Sequence, residues 1–547
     1  MIFKKIVDAK KYKKEIIKAK LISTEGSVPR DSGTFMLITS KYLFGSIGGG
    51  QLEYTIIEKA KKNLSYPSQL FIDGKYLNSI TGKTFDNISP INGKLINKVT
   101  FSQKEDVDKA VAVARKTFES GVWSRAAPAH RKKVILKFAE LLKKNGLELA
   151  VLDTLDMGKT INDTYTADVP GSIKNVRWYG EIIDKVYDDI APTPYNSLAL
   201  ITKEPIGVVA AIVPWNYPLM MAAWKVGPAL VTGNSLILKP AEQSPLTAIR
   251  MAELLAEAGL PEGAFNVLPG DGTTGKALAL HNDVDCVAFT GSGEVGKKIL
   301  GYSGQSNMKR VQLECGGKSP NVIFADCENL DTIVKVSATA IFGNQGEVCS
   351  AGSRLIVEDK IKDEFIEKVV KESKNMMPGD PWDPKSFMGA IVDKTQLDKI
   401  DGYVQQGQKE GAKIAAGGKI MLKNTGGYYY EPTIFDNVKN NMKIAQEEIF
   451  GPVLSSITFK SAEEALKIAN DTNYGLAAAV WTKDINKAHL MAKGIKAGSI
   501  FVNNYDEADL TVPAGGFKQS GIGRDNSYHA LDTYLQIKST WIKLTDK

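Results

Sequence analysis

Three polar side chains, far apart along the chain, sit in strings that suit covalent catalysis at a carbonyl carbon. Cys349 lies in FGNQGEVCSAGS, residues 342–353, directly before Ser350, Ala351 and Gly352. Small neighbours leave the sulfur approachable and leave a backbone N–H free to hold an oxyanion. A free thiol with a pKa near ~8.5 is only a few per cent thiolate at neutral pH, so a nucleophilic role needs a positive field or a base. A buried structural cysteine is the alternative. Glu314, in QLECGGKSPN, closes an apolar run and meets two glycines. It suits a general base raised by desolvation, or an ordinary strand end. Asn216 lies between two aromatics in IVPWNYPL. Its amide can donate to a developing oxyanion, an effect of roughly 10²–10³ in rate, or it can simply form a turn.

A second group of residues suits a dinucleotide. Lys239 and Glu242, in SLILKPAEQS, follow an apolar strand pattern. Ligands of open α/β sheets bind at the carboxyl ends of strands, and a Lys–Glu pair there fits a ribose diol. A glutamate in that place also repels a 2′-phosphate, which favours NAD over NADP. The run DCVAFTGSGEVGKKI contains Gly291, Gly293 and Gly296 in GxGxxG spacing, and Glu314 follows 18 residues later. Read as a dinucleotide fingerprint, that spacing makes Glu314 a ribose ligand and not a base.

The elements that must position these groups alternate. From Val208 to Phe324, the runs GVVAAIV, NSLILK, AFNVLPG, DCVAFTG and NVIFAD read as strands between helical patterns. A second set, RLIVED, GYYYEPTIF, VLSSITF, AAAVWT and GSIFVNN, follows Cys349. This alternation predicts an α/β fold with parallel sheets and crossover helices. Helices are expected over about 105–119, 129–145 and 147–155, after a hairpin in LFIDGKYLNS. The tail TYLQIKSTWIKL has a period of two and reads as a strand, a candidate for pairing with another subunit.

Composition bounds the function. At about 100–200 residues per domain, 547 residues make roughly three or four domains. Residues 1–66 hold 13 basic and 6 acidic side chains, while the remaining 56 of each sign cancel. The main body therefore lacks the basic excess of nucleic-acid or anionic-membrane binders. The Lys-rich residues 1–20 read as a solvated helix face, and 21–53 as strand, turn, strand, turn. Gly48, Gly49 and Gly50 then open a helical pattern to about Leu64. Four cysteines without a CxxC indicate a reducing, cytoplasmic setting, and four scattered histidines predict no metal site. No apolar h-region marks a secretory signal. The charge-free stretch Pro205–Trp224 carries three prolines and reads as a buried strand, turn and helix, so no membrane span is expected.

The motifs IVPWNYPL, LILKPAEQSPL, FTGSGEVG, LECGGKSPN, FGNQGEVCSAGSR, EEIFGPV and GGFKQSGIGRD together resemble the aldehyde dehydrogenase superfamily from about Leu70 to the C-terminus. RWYGEIIDKVYDD, QSNMKR, FVNNYDEADLTVPAGG and GRDNSYHAL resemble its gamma-glutamyl-gamma-aminobutyraldehyde dehydrogenase subgroup. The resemblance implies a Rossmann-like NAD domain (67–186 and 206–316), an α/β catalytic domain (317–520) and a small β oligomerisation element (187–205 and 530–547), in a homodimer or homotetramer. It implies Cys349 as nucleophile, Glu314 as the base that activates water, and Asn216 as oxyanion donor. Lys239 and Glu242 match adenosine-ribose contacts, Ser292 a pyrophosphate contact, and Glu448 and Phe450 the nicotinamide-side ribose and ring contacts; Trp215 is a further expected cofactor-binding residue. Gly293 stands where the family usually has Thr, which makes the GxGxxG coincidental. Asp525 stands at a proton-relay position where many relatives carry Glu. Asp168, Asp506, Glu507 and Asp509 fall around the substrate entrance, where acids attract an amine-derived aldehyde. Betaine or plain aliphatic aldehydes are the alternatives. At the other end, EGSVPRDSGTFMLI and GSIGGGQLE resemble the opening of xanthine dehydrogenase accessory proteins. Residues 1–66 are accordingly expected to be a truncated fusion or a chimeric reading frame without accessory activity; a molybdenum-enzyme accessory module with a passenger domain is the rival reading.

Overall fold

The computed structural model describes residues 66–507 and 509–545, with the backbone of three strands nearer the N-terminus, Ile17–Lys20, Phe35–Ile38 and Leu43–Phe44. These three pair antiparallel. Ile17–Lys20 falls where the lysine content had suggested a helix. Its IKAK sequence alternates apolar and charged residues, the period of a strand. The helix expected up to Leu64 lies outside the described residues.

The first large sheet follows from strands with no polar face. Val208–Ile212 reads VVAAI and is buried throughout, as a strand covered on both faces must be. It pairs in parallel with Ser235–Lys239 on one side and Cys286–Thr290 on the other. Phe265–Val267 and Arg310–Glu314 extend the parallel set outward. Antiparallel edges come from the hairpin Leu70–Ile72/Lys75–Leu77 and from Gly521–Ile522. The hairpin turns through Asp73 and Gly74, both at positive φ. Of the five parallel strands, the chain's first lies central, with the second and third on one side and the fourth and fifth on the other. The strand order therefore reverses between Val208–Ile212 and Cys286–Thr290, the crevice where open α/β sheets bind ligands.

Alternate residues of these strands enter two separate cores. Val209 and Ala211 pack with the helices Pro128–Lys144, Gly146–Met157, Val169–Ile182, Pro218–Val231 and Leu246–Ala258. Val208, Ala210 and Ile212 face Lys104–Ser120, Gly272–Leu280 and Gly293–Gln305. The stretch Pro205–Trp224 thus becomes a central strand and the start of a buried helix. Among the described residues no helix is long and apolar enough to cross a membrane.

Arg310–Glu314, a strand that the apolar patterning did not single out, leads straight through Cys315–Ser319 into Pro320–Ile323 of a second sheet. That sheet runs Lys413–Ala416, Thr433–Asp436, Val453–Phe459, Arg354–Glu358, Pro320–Ile323, Ala477–Trp481, Ser499–Val502. Only its first pair is antiparallel. GYYYEPTIF divides into Tyr429–Tyr430 and Thr433–Asp436 around Pro432, which has no N–H for a ladder. The tail strand Leu535–Lys543 pairs along its whole length with Ser197–Pro205 of the same chain and forms one edge of that sheet. Asp189–Ala191 completes that third sheet.

Candidate active site

The carboxyl ends of the first sheet and the crossing into the second bring the candidate residues to one region. Asn216 follows the central strand and is buried. Its side-chain N–H donates to the Glu347 carbonyl at 2.8 Å, and the Asn344 amide donates back to the Asn216 carbonyl at 3.1 Å. The loop carrying Asn216 is thereby joined to the turn entering Cys349. That turn is strained: Asn344 and Gln345 both lie at positive φ. The Asn216 amide carries a second N–H beyond the one Glu347 uses.

Two glycines let the crossing segment approach this turn. A Cβ on Gly317 would stand 2.5 Å from the Cys349 carbonyl oxygen, and one on Gly316 would overlap the Glu448 carboxylate. At Gly317 a Cβ would meet backbone, which cannot give way; at Gly316 it would displace the Glu448 carboxylate from its place.

Cys349 is half-buried. Burial pushes its thiol up to about 12, reinforced by the negative charges of Glu448, Asp506 and Glu314, with the Ser350 backbone opposing. Three carboxylates from three separate segments thus share the surroundings of one sulfur. Glu314 is buried at the end of its strand. Burial and the neighbouring Asp525 hold its carboxyl well above the usual range, against the pull of Lys225 and Arg524. The Gln312 amide faces it at 3.5 Å. Lys225, fully buried, donates to Gln312 at 2.9 Å and to Asp525 at 2.6 Å. Sequence reasoning missed Lys225 and Gln312. The available signal was the lone charge in PLMMAAWKVGPALV, an apolar helix that had no reason to hold a lysine unless it had partners.

Lys239 ends its strand beside Glu242, at 3.4 Å, and burial lowers its ammonium. Ser292 caps the helix Gly293–Gln305, its hydroxyl accepting from the Val295 N–H at 3.3 Å. The GxGxxG run follows the fourth parallel strand, whereas the fingerprint belongs to the first strand-to-helix turn. Glu448 accepts the Gly317 N–H at 3.0 Å, and burial pushes it up to about 7. Trp215 and Phe450 meet edge to face at 5.2 Å. Phe450 is held at φ 59°, and its carbonyl accepts from Gln396 at 2.7 Å.

The acids expected at the entrance divide. Asp506 is exposed and accepts from the Ser350 hydroxyl at 3.3 Å. Glu507, also exposed, accepts from Asn504 at 2.9 Å. Asp509 is drawn down to about 2 by the Thr511 backbone and hydroxyl and by Lys174. Asp168 requires a correction. It is buried, and both its oxygens accept from the equally buried Lys159, at 2.9 and 2.7 Å. It offers no free charge to a substrate. Lys159 in turn lies 3.7 Å from the ring centre of Tyr217, a second contact that the spacing did not reveal.

Residues 76–540 match the Aldehyde dehydrogenase family. The chain belongs to that family. The NADP/NAD-dependent aldehyde dehydrogenase PuuC of Escherichia coli is 48% identical over 483 residues, 88% of this chain and 97% of PuuC. Two solved structures superpose with TM-score 0.89 over 90% of this chain. One is the P. syringae indole-3-acetaldehyde dehydrogenase AldA in complex with NAD+, 56% identical with 99% of its chain covered. The other is a gamma-glutamyl-gamma-aminobutyraldehyde dehydrogenase of Burkholderia cenocepacia, 52% identical with all of its chain covered. Residues 13–67 match a different family, XdhC and CoxI.

The raised thiol makes a measurable demand on this aldehyde dehydrogenase. In the ligand-free enzyme, the rate at which iodoacetamide alkylates Cys349 should rise about tenfold per pH unit from 7 to 9 without levelling. Peptide mass spectrometry reads it, and a plateau below pH 9 contradicts a thiol held near 12.

Proposed function

We propose that the enzyme oxidises an amine-derived aldehyde to its carboxylic acid with NAD, through a covalent intermediate on Cys349. The observation carrying this reading is the convergence on one sulfur. Glu314, Glu448 and Asp506 act on it electrostatically, and Asn216 is bonded to the turn that presents it.

The edge of the first sheet fits a dinucleotide by the chemistry of its donors. Lys239 and Glu242 suit the hydroxyls of one ribose, and Glu448 those of the other. The N-terminus of Gly293–Gln305, with Ser292, suits the pyrophosphate. The ring of Trp215, braced by Phe450, borders the nicotinamide end. From the Lys239 strand to the Glu314 strand is three strand spacings, about 14 Å. When bound, NAD supplies the acceptor for the hydride of the aldehyde carbon. Glu242 disfavours a 2′-phosphate, so NAD is preferred to NADP.

The chain's own residues perform the remaining steps. Cys349 attacks the aldehyde carbon as a thiolate, which a positive charge bound beside the sulfur favours over the thiol. Asn216 and the Cys349 backbone N–H hold the oxyanion. After oxidation the acyl group remains on sulfur as a thioester. Glu314 takes a proton from water, the water attacks the acyl carbon, and the thiolate leaves. Asp525, linked by Lys225 and Gln312 to Glu314, is the next carrier of that proton. We expect Cys349→Ser to lose at least about 10³-fold in turnover. Glu314→Gln should retain a burst of NADH near one equivalent per site while steady-state turnover falls about 10²-fold or more. Full activity in the first variant, or unimpaired steady-state hydrolysis in the second, would overturn these roles.

Asp506 and Glu507 give the entrance its negative character. The Burkholderia gamma-glutamyl-gamma-aminobutyraldehyde dehydrogenase and the Pseudomonas aeruginosa aminoacetaldehyde dehydrogenase, 43% identical over 481 residues, support a nitrogen-bearing aldehyde. In a panel of gamma-glutamylaminobutanal, aminobutanal, betaine aldehyde, indole-3-acetaldehyde and hexanal, kcat/KM should favour an amine-derived member over hexanal by about tenfold or more. Asp506→Asn should narrow that margin. A preference for hexanal or indole-3-acetaldehyde sinks the charged-substrate reading.

The free cysteines support a reducing, cytoplasmic setting. The third sheet supports self-association, since Ile537 and Trp541 stand 75% and 67% exposed on its tail strand. Sedimentation should give a dimer or tetramer at micromolar concentration; a single-chain mass rejects it.

A further inference from the structure

Two helices begin directly after the two loops on which the reaction depends. Pro218–Val231 follows Trp215–Tyr217, and Leu246–Ala258 follows the Lys239–Glu242 segment. The first N–H groups of a helix have no partner within it and are commonly satisfied by a Ser, Thr, Asp or Asn at the cap. These two helices have Tyr217 and Pro245 in the cap position, and neither supplies a side-chain bond. Their donors are met from a third helix, Gly146–Met157, by two aspartates one turn apart.

Asp156 accepts the Leu246 N–H at 2.8 Å and, through its other oxygen, the Asn87 amide at 2.8 Å. Asp153 does more. One of its oxygens accepts the Leu219 N–H at 3.3 Å, at the start of the helix behind Asn216. The other accepts the Thr247 hydroxyl at 2.6 Å, at the start of the helix behind Glu242. Asp153 and Thr247 are fully buried, so neither oxygen has water as a substitute partner.

We infer that Asp153 is a positioning residue, whose single carboxylate ties the Asn216 loop to the Lys239–Glu242 segment and so fixes the oxyanion donor relative to the cofactor's ribose. This rests on the roles proposed above for Asn216, Lys239 and Glu242. A carboxylate suits the task because it accepts on both oxygens. A carboxamide accepts on one and turns an N–H₂ toward the other donor. Thr247 takes part in Asp153's link to the second helix and not in its bond to Leu219.

The two variants therefore separate. With sites counted by the NADH burst, Thr247→Val should raise KM for NAD about five- to tenfold and leave the burst rate within twofold. Asp153→Asn should raise that KM and also slow the burst about tenfold. Thr247→Val keeps the inference testable should Asp153→Asn fail to fold. Asn216→Ala and Glu242→Gln serve as references, the first slowing the burst and the second raising KM. If the references move while both link variants keep KM and burst rate within twofold of the parent, Asp153 is only structural and the inference fails. If the references do not move either, the functional reading itself fails, and the inference with it.

Discussion

The proposed reaction requires one sulfur to ionise where burial and three carboxylates oppose it. The thiol of Cys349 is pushed up to about 12 by its surroundings, and Glu448, Asp506 and Glu314 all contribute. Each of those acids has a use elsewhere in the proposed reaction, so none can be removed to ease the ionisation. In the proposed mechanism Cys349 therefore ionises only when a positive charge is bound beside it.

The fold meets this constraint with one short crossing. Glu314 closes the fifth parallel strand of the first sheet, and within six residues the chain is in the middle of the second. Everything that must meet the sulfur approaches that crossing. Gly316 leaves room for Glu448, and Gly317 leaves room for the Cys349 carbonyl. The Gly317 N–H then pins Glu448 in place. The residues proposed to hold the cofactor at the first sheet and the proposed nucleophile beside the second thus share a boundary only a few residues wide. Substituting either glycine would act through steric exclusion at this boundary, with no change in local backbone preference.

Much of this was legible in the chain because it depends on local strings. Strands buried on both faces read as unbroken apolar runs, and the helices over 104–157 were placed to within two residues. Cys349, Glu314, Asn216 and Lys239 were flagged by their neighbours. What escaped depends on partners distant in sequence. Asp168 looked like an entrance acid until Lys159 was seen to occupy both its oxygens. Lys225 gave a detectable anomaly, a charge in an apolar helix, but its partners Gln312 and Asp525 lie 87 and 300 residues away. Residues 17–20 were misread because lysine content outweighed a short period-two pattern.

Buried acids around the site set its relation to pH. Burial pushes Asp153 and Glu448 each up to about 7 and holds Glu314 and Asp156 well above the ordinary range. A carboxyl raised on folding binds more protons folded than unfolded. Its contribution to stability is therefore full below the unfolded value, near ~4, and is lost as pH climbs through the folded one. The proposed catalysis makes the opposite demand: there Glu314 must be ionised to take a proton from water, and Glu448, as a ribose ligand, is best as a carboxylate. Two of the groups that favour the folded chain in acid, Glu314 and Glu448, are thus ones that the proposed chemistry needs charged. The opposition is least costly when the carboxylates find compensating donors on ionisation. Asp153 has Thr247 and Leu219, Asp156 has Asn87 and Leu246, and Glu448 has Gly317. Among the described residues Glu314 has only the distant Gln312 amide as a hydrogen-bond donor, at 3.5 Å, beside the longer-range pull of Lys225 and Arg524. It is the least compensated carboxyl of the four, and that suits a base, because a carboxylate without firm donors keeps its affinity for the proton it is there to remove.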